Sequence, residues 1–573
     1  MAIQPGSLIT RTYADFSGVD FTDNEVSLNR SPDSVNMWKD YKKLGKCIET
    51  RPGIDIIDTF ENTLYGVFFY EKNNHVYELV HSGTKLYLVD GQNKTIVKEG
   101  MNPTKSIGRI FNEKLYILDG LNFYVYDGTS VEAVEGYVPT TSIGRKPEGG
   151  GTMFEDVNML SDYRINTFCA DGESLNYYLD SQNIDNDYVP EVWIDDVKVV
   201  ISSANVDYIN GKITFGTAPA SPSTDGQDNV KIKYKKVVSG YKNRIKHCKL
   251  MEVFDNRFFF SGNPDYPNVL FHSGLNDPTY WSDLDYYNEG NDLSPVKVLI
   301  PGNNALWVCK APSQANTSVF YHQPTTQYKN DILINVYPST HSSITTGCTG
   351  TGINFNDDIV FFSDRGMEGI SGDINTEQFL AHRSTLVDRK LLTESGYNNM
   401  ILQEWEGYLL VIIGNKIYIA DSRGKVNNTN HLEYEWFYWE MEKTITSALV
   451  RNGVLYLGTN DGKLCTLTDN ATNRSVESSW TTPRDNFGVD YYQKTTNKRG
   501  SVTNAEGSGI LLLTKKDSNE WEQQELHENV SDYFVNRIKE KKFKTIQLGF
   551  YGMQPFKLYR TSIQAYVGNY VKR

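Results

Sequence analysis

Two carboxylates that face each other across a cleft can hydrolyse a glycosidic bond, one as acid and the other as base or nucleophile. The carboxylates that stand out here, Asp90, Asp119, Asp127, Asp421 and Asp461, fall in short polar breaks between apolar runs. Asp is favoured there because its side chain accepts hydrogen bonds from the backbone just ahead of it, so turn geometry accounts for these acids without catalysis. The nine histidines are dispersed. His75 and His81 lie six apart, no H-x-x-x-H pair exists, and His272 in "VLFHSG" reads as a packed side chain. "GCTGTG", from Gly347 to Gly352, has the glycines of a phosphate loop but lacks the Lys-Ser/Thr ending and a following helix, so it reads as a tight connection. The six cysteines (Cys47, Cys169, Cys248, Cys309, Cys348, Cys465) form no C-x-x-C pair and no zinc spacing with histidine. They read as buried, inert thiols in a reduced compartment. No motif demands catalysis. Catalytic, cofactor-binding and metal-ligating residues are each expected to be none, and the chain reads as not an enzyme.

The elements that hold these residues repeat. "NEKLYILDGLNFYVYDGTS" from Asn112, "EGYLLVIIGNKIYIADSRG" from Glu406 and "NGVLYLGTNDGKLCTLTD" from Asn452 are one phrase written three times, two alternating apolar runs around a turn. Marking each hairpin by a central residue gives Leu86, Leu115, Phe258, Leu306, Ile359, Leu409 and Leu455; the last five are spaced by 48, 53, 50 and 46 residues. A period near fifty is that of a β-propeller blade, four short strands in one radial sheet. A hairpin with one apolar face cannot bury it alone, and a neighbouring blade covers it. Asp-Gly at 90–91, 119–120, 127–128 and 461–462, with Gly-Asn at 414–415, supply turns. Successive β-sandwiches would use about 100 residues per unit and fit the period less well.

The interval from Leu115 to Phe258 is 143 residues. Removing a 96-residue insert over 150–245 restores a spacing of 47. That segment alternates differently, in "EVWIDDVKVVIS", "VDYINGKITFGTAP" and "NVKIKYKKV", and is expected to be a β-sandwich entered through Gly149, Gly150 and Gly151. Asn210-Gly211 predicts a type I′ hairpin turn. The expected fold is therefore all-β: a β-propeller of six or seven blades, with the inserted sandwich and a C-terminal β-rich layer. Its divisions are an N-terminal arm over 1–55, first blades over 56–149, the insert over 150–245, remaining blades over 246–475 and the C-terminal domain over 476–573. The interval of only 29 between Leu86 and Leu115 implies a short first blade or one shared by both hairpins. Helices are expected from Ser31-Pro32 and at "SDYFVNRIKEKK", where Ser531 would cap. The arm would run over the surface or reach a neighbour.

Composition agrees with a sheet-rich protein: 37 Tyr and 26 Phe among 573 residues favour pleated, half-buried surfaces. No eighteen-residue apolar stretch and no leader pattern is visible in the sequence. The net charge of −14 argues against a chain built mainly to grip nucleic acid. The charge is uneven, since Tyr533 to Arg573 holds nine Lys and Arg against Glu540 alone. That strip is read as a solvated basic face or as a seat for an acidic neighbouring subunit.

Three stretches resemble a family. "DFSGVDF" followed by "RSPDSVNMWKDYKKLGKCIETRPGI", then "TTGCTGTGINFNDDIVFFSDRGMEGISG", and the hairpin "VDYINGKITFGTAP" are similar to parts of the tail hub, nozzle and packaged-DNA stabilisation proteins of tailed bacteriophages, often grouped as minor structural proteins. The resemblance spans about 75 of the 573 residues, in the family's order. It implies a virion protein of the neck or tail, assembled in the host cytoplasm, in a ring that is commonly a hexamer. Its partners would be copies of itself, portal, neck or other tail proteins, and DNA passing through the channel without sequence-specific binding, with no small-molecule substrate and no cofactor. Subunit-interface candidates are Arg51, Pro52 and Gly53 at the end of the arm and Arg537, Lys539, Lys541, Lys542 and Lys544 in the basic strip. The alternative is a carbohydrate-binding or glycan-cleaving propeller used for host adsorption; "TNDGKLCTL" and "SDRGMEGI" are faintly similar to the structural Asp-box turns of sialidases. A third reading is a cytoplasmic scaffold that presents a propeller face to peptides.

Overall fold

The computed structural model describes all residues except 1–5, 23–25, 44–46, 314–316, 330–331, 372–377, 424–433, 470–474, 518 and 571–573. The regular structure of the described residues is almost entirely strand, arranged in many small, mostly antiparallel sheets and one larger sheet. Four-stranded sheets cover 107–133, 250–288, 296–341 and 352–382, and 401–440 contributes four consecutive strands to a larger sheet. Leu115, Phe258, Leu306, Ile359, Leu409 and Leu455 each lie on the second strand of such a unit; Leu86 lies on the third of four successive strands between 64 and 99. The interval of 29 therefore comes from marking different strands. It signals neither a short unit nor a shared one.

The repeat is punctuated by a two-residue turn that is built mostly from Asn and Asp. Asn112-Glu113, Asp255-Asn256, Asn303-Asn304, Asn356-Asp357, Glu406-Gly407 and Asn452-Gly453 all have positive φ at both residues. Each joins the first and second strands of its unit with no other residue between, as in Gly302 opposite Ala305 and Phe355 opposite Asp358. Positive φ at both central positions makes a type I′ turn, whose twist matches that of the strands. Asn and Asp reach the left-handed region more readily than other side chains, and they fill eight of these twelve positions, with Glu and Gly at two each. Asn210-Gly211 behaves otherwise. Val206 pairs with Ile213 and Asp207 with Lys212, which leaves a four-residue loop in which Gly211 alone has positive φ. A Cβ on Gly211 would stand 2.0 Å from the Ser181 carbonyl oxygen, so this glycine permits a close backbone approach.

The chain divides into two compact units, one of residues 1–69, 78–83 and 346–573, the other of 70–77 and 84–345. In the first, strand Gly53–Thr59 pairs with Lys463–Thr468, adding a strand from near the N-terminus to the hairpin of Val454–Thr459. Leu8–Ala14 pairs residue for residue with Phe556–Tyr570, and Met37–Trp38 lies between Ile48–Thr50 and Glu435–Glu440. The described residues of the first fifty-odd are thus stitched into sheets of their own chain, where an arm running over the surface or reaching a neighbour was expected. The helix expected from Ser31 is absent because its groups are used elsewhere: Thr481 N and Asp33 N both donate to Ser31 Oγ, and Asn36 takes φ 58°. Trp38 packs on Trp405 and Trp439 at 5.7 and 5.3 Å between ring centres, in a core that also takes Leu410, Ile417, Leu512 and Ile563.

In the second unit, six strands run in the order Thr152–Met153, Thr140–Arg145, Tyr163–Phe168, Val230–Lys235, Glu191–Ile194 and Val197–Val199. A three-stranded sheet, Asn176–Tyr178, Lys212–Thr214 and Val206–Asp207, accompanies them. Phe168, Tyr177, Val192, Ile213, Ile232 and Tyr234 make a common core. Strand Thr140–Arg145 belongs to this sheet although it precedes Gly149, so the sheet starts ten residues before the boundary expected at 150.

Candidate interaction surface

The basic strip is extended, where a helix was expected. Tyr533–Asn536 pairs with Ser501–Asn504, and beyond it Asn536, Ile538 and Glu540 are buried while Arg537, Lys539 and Lys541 are exposed. This period-two alternation overrides the helical spacing of Val535 and Ile538 because the inward residues each meet a specific partner. Asn536 donates to Ser501 Oγ and Thr503 Oγ1 at 3.1 and 2.7 Å. Glu540 accepts from Thr514 Oγ1 at 2.7 Å, Gln524 Nε2 at 2.8 Å and Lys516 Nζ at 3.0 Å. Its amide and carbonyl also pair with Thr496, so a buried, fully bonded carboxylate anchors the strip.

Lys542 and Lys544 are exposed too; the Lys544 amide donates to Asp517 Oδ1 at 2.8 Å while its side chain remains in solvent. Five cations thus leave the protein from one firmly held segment. Beneath them Lys494 is buried and donates to the carbonyls of Val489, Tyr492 and Lys544 at 2.6 to 3.1 Å; burial holds its pKa below the usual lysine range. Lys572 and Arg573, counted with the strip in the sequence, lie outside the described residues.

Arg51, Pro52 and Gly53 are placed quite differently: all three are buried. Arg51 donates to Asn36 Oδ1 at 3.0 Å, to the Pro52 carbonyl at 2.9 Å and to the Glu440 carbonyl at 3.4 Å. Burial lowers its pKa to about 10. This triplet clasps parts of one chain, and its side chains do not face outward for a neighbour.

The residues weighed for chemistry are held as follows. Asp119 Oδ1 accepts from the amides of Leu121 and Asn122 at 2.9 and 2.6 Å, and Asp127 Oδ1 accepts from the Thr129 and Ser130 amides. The Thr129 hydroxyl and these amides hold the Asp127 carboxyl down at about 2. Asp421 bonds the amide and guanidinium of Arg423, and Asp461 takes the Thr459 hydroxyl. The glycine-rich 347–352 segment spends its Thr349 and Gly350 amides on the Phe362 carbonyl. His272 is buried, its ring 5.8 Å from that of Tyr287, and burial lowers its pKa. None of the six cysteines forms a disulfide; Cys47 and Cys169 are half-buried, the other four buried.

Two histidine clusters escaped the sequence reading because their partners are brought together by pairing across strands. His322 Nε2 lies 2.8 Å from Glu289 Oε1, both groups fully buried, with Ser339 Oγ donating to Glu289 Oε2 at 2.6 Å. His382 bridges Asp388 at 2.5 Å and Glu368 at 3.3 Å, and the bonds to Asp388 and then Glu368 raise its pKa to about 9. Among the described residues no group of three His, Cys, Asp or Glu is arranged to hold a metal, and no helix is long and apolar enough to cross a membrane.

No protein-family model and no curated protein sequence matches the chain. Similar solved structures include BamB from Moraxella catarrhalis, at 8% identity over 77% of this chain and 98% of that one, with a TM-score of 0.33. The computationally designed Ika8 protein aligns at 10% identity over 72% of this chain and 98% of its own, with a TM-score of 0.31. A Trypanosoma rangeli sialidase aligns at 9% identity over 56% and 91%, with a TM-score of 0.22. Scores this low carry no argument about this chain's fold or activity.

Proposed function

We propose that the chain is a non-enzymatic virion component of a tailed bacteriophage, a ring-forming connector, hub or nozzle around the DNA exit channel. In this reading the four-stranded units are blades of a seven-bladed propeller, counting the strands of 64–99 and the sheet completed by Gly53–Thr59. The observation that carries it is that last pairing: a strand from before the first repeat completes the last one, as the closure of a circular array requires. Closure removes the open edge that an unclosed row of hairpins would present. The resemblance of the 15–21, 30–54, 206–219 and 345–372 stretches to phage neck and tail proteins supplies the biological setting.

In that ring the net charge of −14 keeps a passing duplex from sticking, through like-charge repulsion. Arg537, Lys539, Lys541, Lys542 and Lys544 serve as the contact to an acidic neighbouring subunit or to the portal side. The test is purification of virions with quantitation of this chain, alongside negative-stain images of the isolated protein. About six copies per particle and ring-shaped projections are expected. A positive depolymerase halo would replace this reading with the host-glycan alternative, and a monomer absent from particles would replace it with the scaffold reading. Changing Lys539, Lys541, Lys542 and Lys544 together to Gln should weaken ring assembly at physiological salt and leave the monomer folded; unchanged assembly removes the strip as a contact.

A further inference from the structure

The six-stranded sheet of the second unit has one face in the core and one in solvent. Along Val230–Lys235, Val230, Ile232 and Tyr234 point inward, so Lys231, Lys233 and Lys235 share the outer face, about 6.7 Å apart from one to the next at strand rise. Registration sets Trp193 beside Lys231 and Lys198, and Tyr163 beside Lys235. The Lys198 and Lys231 ammonium groups each lie 5.5 Å from the Trp193 ring centre, Lys233 lies 4.9 Å from that of Tyr163, and Tyr188 meets Tyr163 edge-on at 5.1 Å. Glu191 bonds Lys198 at 2.6 Å and lies 3.6 Å from Lys233; Asp187 bonds Lys235. Asp185 also acts on Lys235, so four lysines stand against three carboxylates on this face of a chain that is acidic overall.

We propose that this lysine–aromatic face binds single-stranded nucleic acid without sequence preference. A row of cations at even spacing tracks a phosphodiester backbone, and half-buried rings on the same face of the sheet offer stacking surface to unpaired bases. The cations are all lysines, point charges suited to phosphate; the planar arginine fork that favours carboxylated sugars is missing from this group. A duplex hides its base faces and would leave Trp193 and Tyr163 idle. The plain alternative is that the lysine stems merely shield Trp193 from water. The inference does not depend on the virion reading, since its test uses the isolated chain.

The experiment is fluorescence anisotropy of labelled oligo-dT, fifteen nucleotides long, with the full chain. Four phosphate contacts predict that affinity falls about fifty-fold between 50 and 200 mM salt, from a slope of ~0.7 per contact. Lys231→Ala with Lys233→Ala should reduce that fall to about seven-fold, and the double arginine variant should restore it. Trp193→Leu should weaken binding about ten-fold with the salt slope unchanged. Glu191→Gln should tighten binding, because it releases Lys198 and Lys233; a purely shielding role predicts no gain. Circular dichroism of each variant reports folding. The proposal is overturned if oligo-dT does not bind, if a duplex of equal length binds as well, if dextran sulfate binds with the same dependence on Trp193, or if folded alanine variants bind like the parent.

Discussion

At the scale of single residues, buried polar pairs carry the sharpest consequences. His322 Nδ1 lies 2.8 Å from the Tyr337 carbonyl, which only accepts, so that nitrogen carries a proton. Its other nitrogen faces Glu289 Oε1, and one further proton must lie between them. Glu289→Gln keeps a donor toward His322 and an acceptor for Ser339, and is expected to cost little. Glu289→Ala strands the buried His322 Nε2, while the exposed Ser339 can turn to water, at a cost of about 3–5 kcal/mol. Urea midpoints of the two variants check this. His382 titrates in reach of experiment. Its folded pKa, about 9, lies above the unfolded value, so its contribution is complete below roughly pH 6.5 and is lost as pH rises toward 9. His382→Gln should flatten the stability profile across that window, by about 1 kcal/mol once solvent screening of its part-exposed ring is allowed for. A variant whose profile keeps the parent's slope would show that Asp388 and Glu368 do not hold this proton.

At the scale of elements, the first turn of each unit fixes strand register. Asn303 and Asn304 are both exposed, so substitution there reads the backbone alone. Asn304→Val should destabilise by about 1–2 kcal/mol, since a β-branched residue strains in the left-handed region, whereas Asn304→Gly should be neutral or slightly stabilising. Thermal melts of the two distinguish backbone strain from lost side-chain contact. Hairpin existence and spacing were legible from alternation, because Phe258, Leu306, Ile359, Leu409 and Leu455 repeat one buried pattern. The type I′ turns were less legible, since Asp-Asn and Asn-Asp pairs look like any polar loop until φ is known. The helix expected at 531–542 failed for a related reason. Spacing of Val535 and Ile538 fits a helix, yet the hydroxyl and amide groups of Ser501, Thr503, Thr496 and Thr514 reward the strand.

At the scale of the whole molecule, the first sixty residues matter more than their small share of the chain. Removing 1–59 takes Gly53–Thr59 from Lys463–Thr468 and Leu8–Ala14 from Phe556–Tyr570, and removes Trp38 from its core. The shortened chain is expected to lose cooperative unfolding in the unit that contains 346–573 and to aggregate through the freed edges. Limited proteolysis should still yield a resistant fragment within 84–345, whose cores draw on other residues. Rapid digestion of both regions would refute this division.

Apolar alternation and its fifty-residue period settled by themselves that the protein is made of repeated hairpins, because each strand's periodicity is local and survives without knowledge of any partner. The basic character of the C-terminal stretch was equally local. Tertiary structure alone decided that Arg51 is a buried clasp, that Lys539 and Lys541 stand outside while Glu540 lies within, and that lysines of one strand meet Trp193 of another. Burial and partnership depend on contacts between residues far apart in sequence, and those follow from how the sheets pair and pack.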